Sequence, residues 1–290
     1  MDSILVIGAT GSLGFEVIKQ LKEEGFYTRA LALDEDDAGK VKGIADDIFI
    51  GDAQKPETLK GICKGISVVF SAMGKGVSLF TNNESTFMDV DYQANKNILD
   101  EALQSKVQRF VYVSVFGSEK YKDLDLAKAH QEFTKELKKS GLSYTIIHPV
   151  GIFTGLHDIL LMAKKGQVIT VGSGNKKTNP IHQEDLARIC VENIINGKNH
   201  IEAGGPKIYT RNEIAEMACE AVGDAKNLNI PEWLTDLGLP LLKVWDKNIY
   251  DKLAFFKHVI TEDAVAPQNG SKLLEDYFRE KAPEIVSDEK

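Results

Sequence analysis

Apolar residues in this chain fall in short runs separated by stretches of helical spacing. Ile4-Leu5-Val6-Ile7 and Phe110-Val111-Tyr112-Val113 are continuous, as strands buried on both faces are. Runs of this kind predict strands over 3–7, 28–33, 47–50, 67–71, 109–114 and 143–148. Between them the periodicity predicts helices over 12–24, 56–63, 89–105 and 125–140. Gly25 and Gly141 stand where two of those helices should end. Strands alternating with helices imply βαβ units, and so a parallel sheet covered on both faces: a doubly wound, Rossmann-like α/β fold.

Beyond residue 148 the alternation loosens. Gly172-Ser173-Gly174-Asn175-Lys176-Lys177 reads as a loop, and a helix is predicted over 183–195. Gly204-Gly205-Pro206 interrupts the chain, and Thr210 with Glu213 forms a capping-box signature ahead of Ile214-Ala215. Further helices are expected near 234–256 and 271–281, and the charged tail after Pro283 is expected to fray. The expected organisation is a dinucleotide-binding core over 1–150 and a smaller mixed region over 151–290. That region returns to the core at about 180–205 and otherwise forms the substrate side.

Gly8-Ala9-Thr10-Gly11-Ser12-Leu13-Gly14 carries the most chemistry. It follows the first predicted strand and opens the first predicted helix, the order that a dinucleotide site requires. The glycines allow a tight turn and close approach of a pyrophosphate, and the helix N-terminus offers N–H groups and a positive dipole end. Gly8, Thr10, Gly11, Ser12, Leu13 and Gly14 are therefore candidate cofactor contacts.

The chain has 290 residues, 43% hydrophobic, enough for a large core. A net charge of −8 with no basic stripe argues against a nucleic-acid partner. No apolar run approaches a membrane span, and a first strand this close to residue 1 predicts no signal or transit peptide. Cys63, Cys190 and Cys219 lack metal-ligand spacing and read as buried thiols of a reducing cytoplasm.

Several motifs together resemble the atypical short-chain dehydrogenase/reductase superfamily, in its NmrA-like, NAD(P)H-binding branch. Gly8 to Gly14 is similar to its GATGxxG turn, and Gly51-Asp52-Ala53 to its GD-hydrophobic pattern after the third strand. Ser71-Ala72-Met73-Gly74 sits where relatives line the cofactor, and Ser140 to Pro149 is similar to SGLxYTIxRP. Ile181-His182-Gln183-Glu184-Asp185-Leu186-Ala187 resembles IHxxDLA, and Gly204-Gly205-Pro206 with Thr210 to Ala215 resembles GGPxxxTxxEIA. The resemblance spans residues 1–220 and implies cofactor contacts at Asp52, Ala53, Ala72, Met73 and Gly74, with Asp52 at the adenine.

The end of the second strand discriminates the two nicotinamide cofactors. Asp34-Glu35-Asp36-Asp37 stands there, and Leu33 takes the place where many NADP-binding relatives have Arg. Asp34 is the candidate ribose acceptor, and the carboxylates would repel a 2′-phosphate, so NAD(H) is favoured over NADP(H). The other reading of Glu35 to Asp37 is a solvated loop. Arg29 lies inside the strand, while Lys40 and Lys42 are within the reach of a swinging side chain.

The resemblance implies a Ser-Tyr-Lys catalytic set, of which only the lysine is matched, by Lys128. Leu124 stands at the Tyr position and Val115 at the Ser position. Tyr121, two turns or about 10 Å before Lys128 on a continuous helix, is too far to act on the same atom. Lys128 either bonds the nicotinamide ribose, donates a proton if desolvated, or is a surface lysine. His148 replaces the family's Arg before Pro149 and is a second proton-donor candidate, or a hydrogen-bonded residue that shapes the strand end. His130 faces away from Lys128, His182 is expected to cap or orient the following helix, and Asp185 reads as a structural acceptor or a ligand contact. No zinc cluster and no GxSxG nucleophile occurs. Phe80, Phe87, Met88, Phe153, Leu156, Leu160 and Met162 fall where relatives border the substrate cleft, which implies an apolar substrate or ordinary packing. Three functions follow: an atypical reductase or dehydrogenase acting on a small molecule, a non-catalytic NAD(P)-binding redox sensor or regulator, and, last, a nucleotide-sugar epimerase or dehydratase.

Overall fold

The computed structural model describes residues 2–81, 85–121 and 123–287. Its strands are β1 (Ser3–Ile7), β2 (Tyr27–Ala32), β3 (Asp47–Ile50), β4 (Val68–Ser71), β5 (Arg109–Val113), β6 (Ser143–Pro149), β7 (Gln167–Val171), β8 (Lys177–Thr178), β9 (His200–Ala203), β10 (Tyr209–Thr210) and β11 (Lys226–Ile230). Its α-helices are α1 (Ser12–Glu23), α2 (Glu35–Val41), α3 (Asn95–Gln104), α4 (Asp125–Lys139), α5 (His157–Lys164), α6 (Gln183–Glu192), α7 (Arg211–Val222), α8 (Glu232–Trp245), α9 (Lys247–Thr261) and α10 (Leu274–Ser287). Residues 1–75, 84–148 and 183–202 form one compact unit; residues 76–83, 149–182 and 203–290 form a second.

The first unit is built on a seven-stranded sheet of order β3-β2-β1-β4-β5-β6-β9, with β1 to β6 paired in parallel. This is the doubly wound Rossmann-like topology, with its reversal between β1 and β4. Leu5, Ile7, Val69, Phe110 and Tyr112 of the sheet pack with Ile98, Phe133 and Leu137 of α3 and α4 in one buried cluster. The Phe133 ring meets Tyr112 edge-on at 4.6 Å, a geometry that aromatic quadrupoles favour.

Four expectations change in detail. The helix expected over 56–63 is a single 3-10 turn, Pro56–Thr58. Gly61 and Gly65 beyond it take φ of +86° and +75°, which no continuing helix permits. The helix expected over 89–105 opens as a π-helical segment, Met88–Ala94, before α3. The acidic stretch after β2 is not a loop: Asp34 caps α2, and Glu35, Asp36 and Asp37 fill its first turn, where carboxylates suit the helix dipole. The C-terminal helix runs on through Pro283 to Ser287, because Ile285 is buried in the second unit's core and its carbonyl accepts from Lys164 Nζ (2.8 Å).

The second unit pairs β7 with β11 in parallel and β8 with β10 antiparallel. Phe153, Leu160, Ile214, Ala218, Leu274 and Phe278 centre its core. The capping box expected at Thr210 and Glu213 is present, both reciprocal bonds made. Gly204 and Gly205 follow their motif for a steric reason: a Cβ on Gly205 would lie 2.0 Å from the Pro180 carbonyl oxygen. Asp246 separates α8 from α9, its carboxylate accepting from the Ile249 amide. Among the described residues no helix is long and apolar enough to cross a membrane.

Candidate functional site

β1 ends at Ile7, and the chain turns at Gly8 with φ of +78°. A Cβ on Gly8 would lie 3.0 Å from the carbonyl group of Ala72, so the turn is pressed against the exit of β4. The Gly11 amide donates to the Gly8 carbonyl (3.1 Å), and Gly11 becomes the N-cap of α1 with no side-chain cap. A Cβ on Gly14 would lie 2.1 Å from the Gly8 oxygen, which no side chain can occupy. Turn and helix start thus form a cradle of bare backbone at a positive dipole end. That donor set fits a pyrophosphate.

A side-chain clamp holds the neighbouring β4 exit. Ser71 Oγ and Asn95 Oδ1 are 2.6 Å apart, and Asn95 Nδ2 donates to the Met73 carbonyl (3.2 Å). The Lys75 amide donates to Asp91 Oδ2 (3.0 Å). A Cβ on Gly74 would meet Asp91 Oδ1 at 2.8 Å, so glycine is what lets Asp91 approach. Asp91 Oδ1 also lies 3.2 Å from His130 Nε2, and His130 Nδ1 lies 2.5 Å from the Tyr112 hydroxyl. All three side chains are buried. Burial pushes the Tyr112 hydroxyl well above its ordinary range, so it keeps its proton; the Asp91 carboxylate can only accept, which puts a proton on His130 Nε2. Sequence reading missed Asp91, Asn95 and this use of His130. The available signal was two polar residues four apart, in register with the buried apolar positions Ile98 and Ala102. π-Helical turns recur at functional sites, and this one points Asp91 at the β4 exit while Asn95 does so from the first position of α3.

After β2, Asp34 is exposed and spends Oδ1 on the Asp37 amide (2.9 Å). Asp52 accepts from the Gln54 amide (2.9 Å) and pairs with Lys55 (3.2 Å). Ala53 is buried, its carbonyl tied to Asn97. Arg29 is committed to Asp47 and to the carbonyls of Ile62 and Lys64. Lys40 pairs with Asp37 (2.7 Å).

At the catalytic positions, Leu124 is buried and N-caps α4, and Val115 is half-buried. Lys128 is exposed on α4. Tyr121 precedes α4 rather than lying on it, so helical rise does not set its distance from Lys128. Ser114, one residue before the expected serine position, is buried, and its Oγ has no hydrogen-bond partner among the described residues. An orphan hydroxyl at a strand's carboxyl end marks a place for a missing polar group. His148 is half-buried, lies with its ring tilted against His200 (4.5 Å between ring centroids) and places Nδ1 3.3 Å from the Val115 carbonyl. That carbonyl can only accept, which puts the proton on Nδ1 and leaves Nε2 with its lone pair.

Burial holds the His148 imidazolium below its ordinary value. The folded protein therefore resists protonation that the unfolded chain accepts near pH 6.5. Stability present above that pH is lost as pH falls through the folded value. Melting temperatures measured from about pH 8 to pH 5 should fall less steeply for His148→Asn than for the parent. Parallel curves would remove this role.

The remaining candidates separate. Phe87, Phe153 and Leu160 are core residues. Phe80 is exposed, with Lys165 Nζ 4.2 Å above its ring. Leu156 and Met162 line a cavity within the second unit. His182 is buried against Phe153 and Tyr277, and Asp185 is ion-paired to Arg188 within α6. The 172–177 loop is a packed turn, with the Asn212 amide on the Gly174 carbonyl (3.0 Å). Among the described residues no cluster of His, Cys, Asp and Glu is suited to a metal.

Comparison with known proteins agrees with this geometry. Residues 8–196 match the model of a family described as NAD(P)H-binding. The chain is 28% identical over 262 residues to the photosystem II assembly factor Ycf39 of Cyanophora paradoxa, covering 87% of this chain and 80% of that protein. It is 24% identical over 262 residues to the chloroplastic divinyl chlorophyllide a 8-vinyl-reductase of Cucumis sativus, covering 83% and 62%. An NADPH-dependent quinone oxidoreductase from Escherichia coli, solved with NADPH, superposes with a TM-score of 0.75 at 17% identity, covering 96% of this chain and 99% of that one. A glycine cradle at the β1–α1 turn, a doubly wound sheet and a family match over most of the sheet lead to one conclusion: the chain belongs to the NAD(P)H-binding family.

Proposed function

We propose that the protein is an oxidoreductase that moves a hydride between a nicotinamide dinucleotide and a small molecule. The observation that carries this reading is the bare-backbone cradle of Gly8, Gly11 and Gly14 against the clamped β4 exit. When bound, the nicotinamide supplies the hydride chemistry. Thr10, Ser12 and Leu13 frame the pyrophosphate on the helix start, and Asp52 and Ala53 flank the adenine. Ala72, Met73 and Gly74 present backbone to the cofactor, with Asn95 and Asp91 holding them in place. Lys128 reaches the nicotinamide ribose from its exposed position. Ser114 offers its unpartnered hydroxyl to the bound group. His148 holds the Val115 loop rather than giving a proton, and water serves as the proton source.

NAD(H) is preferred to NADP(H) in this reading. Asp34 keeps one carboxylate oxygen for the ribose, three more carboxylates follow it, Arg29 is committed elsewhere and Lys40 is paired. The structural neighbour from Escherichia coli was solved with NADPH, from which the proposed preference departs. The buried thiols suit any reducing compartment, cytoplasm or plastid. Leu124 and Val115, in place of a proton-moving pair, favour a second reading: a cofactor-binding redox sensor without turnover.

Parallel calorimetric titrations with NADH, NAD⁺ and NADPH test both readings. Expected are dissociation constants of about 1–100 μM, with NADH at least about tenfold tighter than NADPH. NADPH binding tighter than NADH overturns the preference, and no binding of any form overturns the function. Tight, redox-selective binding with no loss of nicotinamide absorbance on carbonyl or conjugated-alkene substrates selects the sensor.

A further inference from the structure

The second unit holds a cavity of about 380 Å³ walled by α5, β7, α7, β11, α8 and α9, every lining residue belonging to that unit. Protein interiors pack to near-crystalline density, and a void of about 150 Å³ already accepts benzene. A space this large falls within the size range of small-molecule sites. Its wall is aliphatic and aromatic: Met162 from α5, Ile230 from β11, Leu253 and Phe256 from α9. Leu79, Ile169 and Leu242, each more than a third exposed, mark where it opens to solvent.

The charged residues on the wall decide what can enter. Asp158 accepts from Ser78 Oγ and the Leu79 amide, both at 2.7 Å. Arg211 donates to the Val259 carbonyl (2.5 Å), and Lys257 is ion-paired with Asp236 of α8. Each already has a protein partner and the rest of the wall is apolar, so a charged ligand would have to displace those partners or lose its hydration unrecovered. Thr170 is tied to Asn229 and Asn227. We infer that this cavity is a binding site for a neutral, lipophilic small molecule, held by the second unit's own residues. The inference goes beyond hydride transfer and stands whether or not the occupant is the substrate.

α8 walls one side of the cavity. α8 carries Gly238 and Pro240 in its interior, the two weakest helix formers. Thr235, Leu239 and Leu242 line the cavity, while Trp233, Leu237 and Trp245 on another arc of the same helix are 62%, 68% and 90% exposed. A lipophilic molecule can also adhere to that outer arc, so the test must separate the two places.

The test is a fluorescence titration of the full chain with N-phenyl-1-naphthylamine, a neutral lipophilic fluorophore. Expected is saturable binding at one molecule per chain. Met162→Trp and Ile230→Trp, which fill the cavity, should each weaken it by at least about tenfold, with melting curves confirming that both variants are folded. The double variant Trp233→Gln, Leu237→Gln should leave it unchanged. Non-saturating enhancement, loss in the outer-arc variant, or parent-like affinity in both folded filling variants overturns the site. Gly11→Ala separates this from the cofactor reading: it should weaken NADH while fluorophore binding persists. A chain that binds the fluorophore but no nicotinamide loses the oxidoreductase reading and keeps this one.

Discussion

Gly14→Ala is expected to abolish measurable binding of NADH and NADPH and to destabilise the fold by about 3 kcal/mol or more. The added Cβ would sit 2.1 Å from the Gly8 carbonyl oxygen and 2.7 Å from its carbon. Both are backbone atoms in a turn fixed by the Gly11–Gly8 bond and by contact with Ala72. No rotamer relieves that overlap, so either α1 moves off β1 or the turn opens. Either change buries Leu13, Val17 and Ile18 less well and misaims the N–H groups of the first helical turn. The measurement is paired: a calorimetric titration and a thermal melt. Parent-like NADH affinity in Gly14→Ala would show that the turn is scaffold only.

Gly11→Ala is the informative contrast. Its Cβ would lie 3.3 Å from the Gly8 oxygen, a contact that relaxes with a shift of a few tenths of an ångström. The fold should survive, and the methyl should instead occupy the face that a pyrophosphate approaches. Affinity should then fall with little change in melting temperature. The two variants therefore divide the motif's glycines by role, one for helix–strand packing and one for ligand access.

This division marks how far sequence reasoning reaches. The order of strands β1 to β6 is legible because continuous apolar runs such as Phe110 to Val113 admit few other placements. The glycine cradle is legible because its residues are contiguous. The clamp is not: Asp91, His130 and Tyr112 lie on three separate elements, and a buried Asp–His–Tyr chain has no spacing of its own in the sequence. The cavity of the second unit is not legible in the sequence: Leu156 and Met162 enter only as residues that border the substrate cleft in relatives, and α5, β7 and β11 do not stand out locally, because each is short and stabilised by tertiary packing. The failed helix over 56–63 turns on the left-handed φ of Gly61 and Gly65, which the apolar spacing of Leu59, Ile62 and Cys63 conceals.

Asp91→Ala is expected to have the second-largest effect, at a residue that a motif search passes over. Removing the carboxylate strips acceptors from the Lys75 amide and from His130 Nε2, both in buried surroundings. An unsatisfied buried donor costs about 1–3 kcal/mol, so the pair costs about 3 kcal/mol, which lowers the melting temperature by roughly 6–12 °C. Stability alone does not separate a core network from a cofactor support. Asp91→Asn does, because an amide has one acceptor oxygen where the carboxylate has two, and either the Lys75 loop or His130 goes unserved. Gly74→Ala attacks the same contact from the other side, by placing a methyl 2.8 Å from Asp91 Oδ1. If the network exists to hold Ala72, Met73 and Gly74 against the cofactor, both variants weaken NADH by at least about tenfold while remaining folded. If it serves only the core, melting temperatures fall and the NADH dissociation constant stays at the parent value. The first outcome is expected, because the three bonds from Asn95 and Asp91 all end on residues 71, 73 and 75, alternate positions of the segment that abuts Gly8.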